Sequence, residues 1–231
     1  AGGAIYLMIN FFKIYDNVIP EDFCDEVISF FEQNNDLINN GVVSGTEDEP
    51  EKIKMEVKKT KELDISSLLL DKTLEQTSQL QRFEDLFLKY SIESCNKYIY
   101  DSNFIDDNLN ENWSDIFKYL ESRDSTFSNR KIKMKTLLPD IQKIATSGHR
   151  IKKYEKESGY YNYHADPAWQ EVGVSDNRWR VPPGQYLSNI RLLSVIMYLN
   201  TVDVGGETTF PLIPIKIKPI KGRIAVFPTH W

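Results

Sequence analysis

The spacing of apolar positions changes character about halfway along the chain. Near the start Phe11, Phe12, Ile14 and Tyr15 form a short strand-like run that stops at Asp16-Asn17. Pro20 suits the first turn of a helix, and Glu21 and Asp22 complement its dipole. Phe23, Val27, Phe30 and Phe31 then recur at helical spacing, which predicts a helix through Gln33 with one buried face. The acidic segment 46–51 reads as a loop, and 53–63 as an extended edge with exposed lysines. Leu80, Phe83, Leu86, Phe87, Tyr90 and Ile92 predict a long helix over about 74–98. Residues 101–111 are polar and loop-like, and Trp113, Ile116, Phe117 and Leu120 mark another helix. From about Lys131 strand signals take over, at 149–154, 190–199, 213–217 and 223–227. Lys221-Gly222 reads as the turn between the last two, and Gly205-Gly206 as a tight turn after a strand.

Helices first and strands last predict a single α+β domain, with helices packed on one face of an antiparallel sheet. Residues 8–130 form its helix-rich supporting part and residues 131–231 its β core. Several antiparallel strands with bulky apolar faces point further to a sandwich or jelly-roll barrel.

A chain of 231 residues can bury a sizeable core, and 41% apolar residues exclude a disordered protein. The formal charge of -6 argues against a nucleic-acid coat, so the basic run Arg130, Lys131, Lys133, Lys135 reads as a solvated strand or loop. No apolar run approaches the ~18 residues of a membrane span. Neither nucleic acid nor membrane is therefore an expected partner. Cys24 and Cys95 lie far apart in helix-like patterns and read as reduced core thiols of an intracellular, cytoplasmic protein. The start lacks a basic n-region and a cleavage site, so no secretory signal is expected. Residues 1–7 read as a leader or cloning remnant ahead of Met8, and the chain reads as truncated after Trp231.

The three histidines are His149, His164 and His230. The informative cluster is Tyr161-Asn162-Tyr163-His164-Ala165-Asp166-Pro167. On an extended chain residues i and i+2 share a face, so His164 and Asp166 can converge on one ion. One imidazole and one carboxylate, completed by a distant histidine, make the facial triad of non-haem iron oxygenases. Taken alone the pair is also what a surface imidazole beside a carboxylate looks like, so the surrounding stretches carry the distinction.

Those stretches are 14–20, Tyr154 through Asp166, 193–200, Gly205-Gly206-Glu207-Thr208-Thr209-Phe210-Pro211, and 219–228. Together they resemble the prolyl 4-hydroxylase-like branch of the iron(II)- and 2-oxoglutarate-dependent dioxygenases, especially small bacterial and phage-type members. The resemblance is strong from about residue 145 onward and faint before it. It implies a double-stranded β-helix, a jelly roll whose C-terminal strands would be missing here, buttressed by the N-terminal helices. It also implies iron(II) held by His164 and Asp166, with 2-oxoglutarate near Tyr154, Tyr198 and Thr209. Ascorbate is a further cofactor that the resemblance allows. The implied reaction uses O2 to convert 2-oxoglutarate to succinate and CO2 while a C–H bond becomes C–OH. The closest branch implies a peptidyl prolyl or similar side chain as substrate, and free amino acids and nucleobases fall within the wider class. The rival reading is a non-catalytic binding or structural protein on the same fold.

The resemblance departs at the end of the chain. The family's third ligand is a histidine beyond the strand that here ends at Phe227, and a basic residue follows it. His230 falls on a variable loop position of that pattern, so the third ligand is expected past Trp231 and the chain is expected to hold metal weakly. His149 reads as a strand histidine with an ordinary hydrogen bond. Trp169, Trp179 and Arg180, in the loop 168–186, are candidates for substrate contact, whereas Arg191 either reaches substrate or solvates an edge.

Overall fold

A three-stranded antiparallel sheet divides the protein's apolar side chains into two cores. The computed structural model describes residues 11–42, 53–71, 73–102, 148–164, 193–211 and 213–229. In chain order the elements start with β1 (Lys13–Tyr15), α1 (Glu21–Gln33), a 3-10 turn (Asn35–Leu37) and β2 (Asn39–Asn40). Next come β3 (Lys58–Lys59), β4 (Lys61–Asp64), α2 (Ile65–Leu68) and α3 (Thr77–Asp101). The remainder are β5 (Arg150–Lys153), β6 (Tyr160–Tyr161), β7 (Leu193–Tyr198), β8 (Thr208–Phe210), β9 (Ile213–Ile217) and β10 (Arg223–Pro228).

The dividing sheet has the order β1-β10-β7, with Ile14 opposite Ala225 and Ala225 opposite Ile196. Successive strand residues point to opposite faces. Leu193, Val195 and Met197 of β7, with Ile224 and Val226 of β10, therefore pack on the helices, while Ile196, Tyr198, Ala225 and Phe227 face the other way. On the helical side α1 buries Phe23, Cys24, Val27, Phe30 and Phe31, and α3 buries Leu80, Phe83, Phe87, Tyr90 and Tyr98. Edge-on aromatic contacts join the two helices, with Phe30 and Phe83 centroids 5.2 Å apart and Phe23 and Phe87 5.5 Å apart. On the far side Phe12 meets Phe210 at 4.5 Å and stacks on Phe227 at 5.7 Å, and the β8–β9 hairpin adds Ile215 and Ile217.

The turn before β10 depends on Gly222, which holds φ at +77°. Its carbonyl accepts from the Val18 and Ile19 amides at 2.9 and 3.1 Å, and a Cβ there would stand 2.6 Å from the Ile19 carbonyl oxygen. No side chain fits that approach. Beside it Arg223 forks onto both carboxylate oxygens of Asp16, at 2.6 and 3.0 Å.

Smaller sheets complete the described fold: β2-β4-β5, β3-β6 and β8-β9, all antiparallel. Strands from the first part of the chain thus pair with strands from the last, as β1 does with β10 and β4 with β5. The protein is a mixture of helices and small antiparallel sheets, and none closes into a barrel among the described residues. The jelly roll implied by the resemblance is a larger assembly, and much of the expected β half, 131–147 and 165–192, lies outside those residues. The loop 46–51, the helix around 113–120 and the basic run 130–135 lie outside them too.

Two expectations need correction. The long helix runs on to Asp101, because Ile99 still packs on the core and Asp101 still takes a hydrogen bond from Tyr15 at 3.2 Å. Segment 53–63 is not one edge: it turns at 55–57 and splits into β3 and β4, which belong to different sheets, and of its lysines Lys61 is exposed as expected but Lys58 is not. Lys58 is only 3% exposed there. Its ammonium lies 2.6 Å from Glu62 Oε1 and 3.0 Å from the Val42 carbonyl, which offsets the cost of burying a charge.

Candidate metal and cosubstrate site

The segment carrying His164 is held by the chain around residue 57. β6 pairs with β3, Tyr161 opposite Lys58, and the ladder continues where the Asn162 amide donates to the Val57 carbonyl at 2.9 Å. The Asn162 side-chain amide reaches the Glu56 carbonyl at 3.1 Å, and the Tyr160 hydroxyl donates to the Met55 carbonyl. The backbone before His164 is therefore tied at several successive residues.

His164 itself is exposed, but its ring is oriented. Nδ1 lies 2.8 Å from the Asn162 carbonyl oxygen. A carbonyl can only accept, so Nδ1 carries the proton and, in the neutral ring, the lone pair sits on Nε2. The imidazole stacks on Tyr161 with centroids 3.8 Å apart and planes 23° apart. Metal-binding histidines share this arrangement, in which one ring nitrogen donates to an acceptor and the other presents its lone pair.

Next along the chain, the Tyr163 hydroxyl and Thr209 Oγ1 are 2.9 Å apart, joining the His164 segment to β8. An open cleft of about 860 Å³ lies at this junction, lined by Tyr163, Thr209, Phe210, Pro211, Pro214 and Lys216 among others. The neighbouring β8 residue, Thr208, meets the Tyr198 hydroxyl at 2.8 Å. Burial is the main influence raising the Tyr198 phenol, opposed by Thr208 and by Arg223. Tyr154 leaves 47% of its surface to solvent, but its hydroxyl end is crowded by protein. Burial, then the Glu62 carboxylate, then Tyr161 and Tyr198 push that phenol up to about 12. Both phenols thus stay protonated near neutral pH and can donate to an anionic ligand.

Asp166 and His230 lie outside the described residues, as do Trp169, Trp179, Arg180 and Arg191. Among the described residues no three His, Cys, Asp or Glu side chains gather into a group that could hold a metal ion. His149 takes part in a different cluster, against α3. Its Nε2 is 3.1 Å from Ser91 Oγ, its Nδ1 is 3.0 Å from Glu84 Oε1, and its ring lies on Phe87.

Sequence reasoning placed Asn162, Tyr161 and Tyr163 in the His164 cluster without giving them a role. It read Lys58, which pairs with Tyr161, as an exposed lysine, and Glu62, which holds Lys58, not at all. No sequence signal set Lys58 and Glu62 apart: residues 58–62 are all polar, and only the fold shows that Lys58, Thr60 and Glu62 are the ones buried. Compared with protein families, curated proteins and solved structures, the chain has no match.

Proposed function

We propose that this chain is an iron(II)- and 2-oxoglutarate-dependent hydroxylase of a peptidyl prolyl or similar side chain, built around a double-stranded β-helix. His164 and Asp166 are two of its metal ligands, and Tyr154, Tyr198 and Thr209 attend the cosubstrate. The observation that carries the reading is the His164 ring, whose Nδ1 proton is engaged by the Asn162 carbonyl and whose lone pair is thereby placed on Nε2. Imidazole and carboxylate donors suit iron(II). Protonated phenols at Tyr154 and Tyr198 suit a dicarboxylate, to which they donate without adding negative charge. When bound, iron(II) would supply the activation of O2, the oxidant of both 2-oxoglutarate and the target C–H bond, and the protein orients the target carbon and excludes water.

Anaerobic titration with iron(II) or manganese(II), followed by 2-oxoglutarate, tests the reading. Weak one-to-one metal binding is expected, abolished by His164→Ala and by Asp166→Ala and indifferent to His149→Ala. Tight binding that is lost on His230→Ala would make His230 the third ligand. No metal or 2-oxoglutarate binding would leave the non-catalytic protein as the better reading.

A further inference from the structure

We propose that Tyr161 is the positioning residue of the His164 imidazole and that Lys58 braces it from the first part of the chain. The inference rests on the reading of His164 as a metal ligand. A histidine that presents one nitrogen to a metal needs its tautomer and its ring plane fixed. The Asn162 carbonyl supplies the first, 2.8 Å from Nδ1. Tyr161 supplies the second, because an exposed imidazole left unsupported would exchange among rotamers and lose freedom on binding. Here it lies on the phenol ring at 3.8 Å, only 23° from parallel.

Tyr161 is itself fixed. It stands opposite Lys58 in the β3–β6 ladder, and the Lys58 ammonium lies 4.9 Å from its ring centroid, within cation–π range. Lys152 approaches the same ring at 5.7 Å. Lys58 is buried and cannot wander, since Glu62 and the Val42 carbonyl hold its ammonium, and Thr60 Oγ1 holds Glu62 at 2.9 Å. A continuous run of contacts therefore leads from the buried Lys58–Glu62 pair through Tyr161 to the ring of His164.

The test uses the full chain with isotope-labelled histidine and Mn(II) as the probe. In the wild type the carbon-bound ring protons of His164 should be shifted upfield by the Tyr161 ring current, and Mn(II) should broaden them. Tyr161→Leu should remove the upfield shift and weaken the Mn(II) effect by roughly tenfold in concentration. Tyr161→Phe should preserve both. Lys58→Met should fall between them, with unchanged His149 signals certifying the fold. If Mn(II) broadens His164 equally in the wild type and Tyr161→Leu, the metal reading stands and the role of Tyr161 is overturned. If Mn(II) leaves wild-type His164 untouched, the metal reading fails and takes the positioning role with it.

Discussion

On one face of the β1–β10–β7 sheet, Val195, Met197, Ile224 and Val226 meet a helical layer rich in phenylalanine; on the other, Ile196, Tyr198, Ala225 and Phe227 meet the β8–β9 hairpin. The same strands build both, one residue out of step. The helical side is close-packed, with Val27, Leu80, Phe83, Ile224 and Val226 all at 0% exposure. The hairpin side mixes apolar contacts with hydroxyl pairs, Tyr198 with Thr208 and Tyr163 with Thr209. The difference suggests a division of labour, in which one face carries stability and the other presents polar groups to the candidate site. Substitutions should separate the two.

The largest effect belongs to the helical face. Phe83→Ala empties a fully buried position between Phe23 and Phe30, and should cost about 4 kcal/mol in a denaturant unfolding measurement. Metal binding by the fraction that remains folded should not change. A loss below about 1 kcal/mol would mean that the stability core lies elsewhere.

The buried ion pair sharpens the comparison, because it is polar, belongs to neither core cluster and is nevertheless structural. Lys58→Met leaves Glu62 buried with Thr60 as its remaining partner, and should cost about 3 kcal/mol. Adding Glu62→Leu to that variant should recover much of the loss, since no buried charge is then left unpaired. A strictly additive double variant would show that the pair is not coupled.

These sites also mark how far the sequence could be read. The α1 helix was legible from Pro20, the acidic first turn and the apolar spacing, because those signals are local. The β7 and β10 strands were legible from their apolar runs, and their alternation sorts residues between the two cores. The pairing of Lys13 with Val226 was not legible, since register between distant segments leaves no local trace. Lys58 misled because a lysine in an extended segment ordinarily points to water, and only the approach of Val42 and Glu62 makes its burial tolerable. In the candidate site the His-x-Asp spacing was visible in the chain. The stacking of His164 on Tyr161 was not, since it depends on how the chain bends after β6.

Tyr198→Phe probes the hairpin face directly. It removes one hydroxyl partner from Thr208 and should cost about 1 kcal/mol of stability. Under the proposed function it should weaken 2-oxoglutarate binding by more than that stability loss would suggest, because a donor to the cosubstrate goes with it. Equal 2-oxoglutarate affinity in calorimetry would remove Tyr198 from the cosubstrate site and leave it a structural residue of the sheet.

The smallest expected effect lies at the edge of the same sheet, where β1 and β10 are clipped by Asp16 and Arg223. Hydrogen bonds from the Arg223 guanidinium hold the Asp16 carboxyl below its ordinary range, against a smaller opposing effect of burial. A carboxyl whose folded value is depressed stabilises the fold above its unfolded value, near ~3.9, and loses that contribution as pH falls through the folded one. With 51% of the Asp16 side chain exposed, solvent screening limits the gain to roughly 0.5 kcal/mol. Asp16→Asn should therefore unfold slightly more easily than the wild type at pH 7, and the gap should close as the pH is lowered from about 5 toward 2. A gap that persisted unchanged in acid would mean that the side chain's shape and neutral hydrogen bonds, rather than its charge, clip β1 to β10.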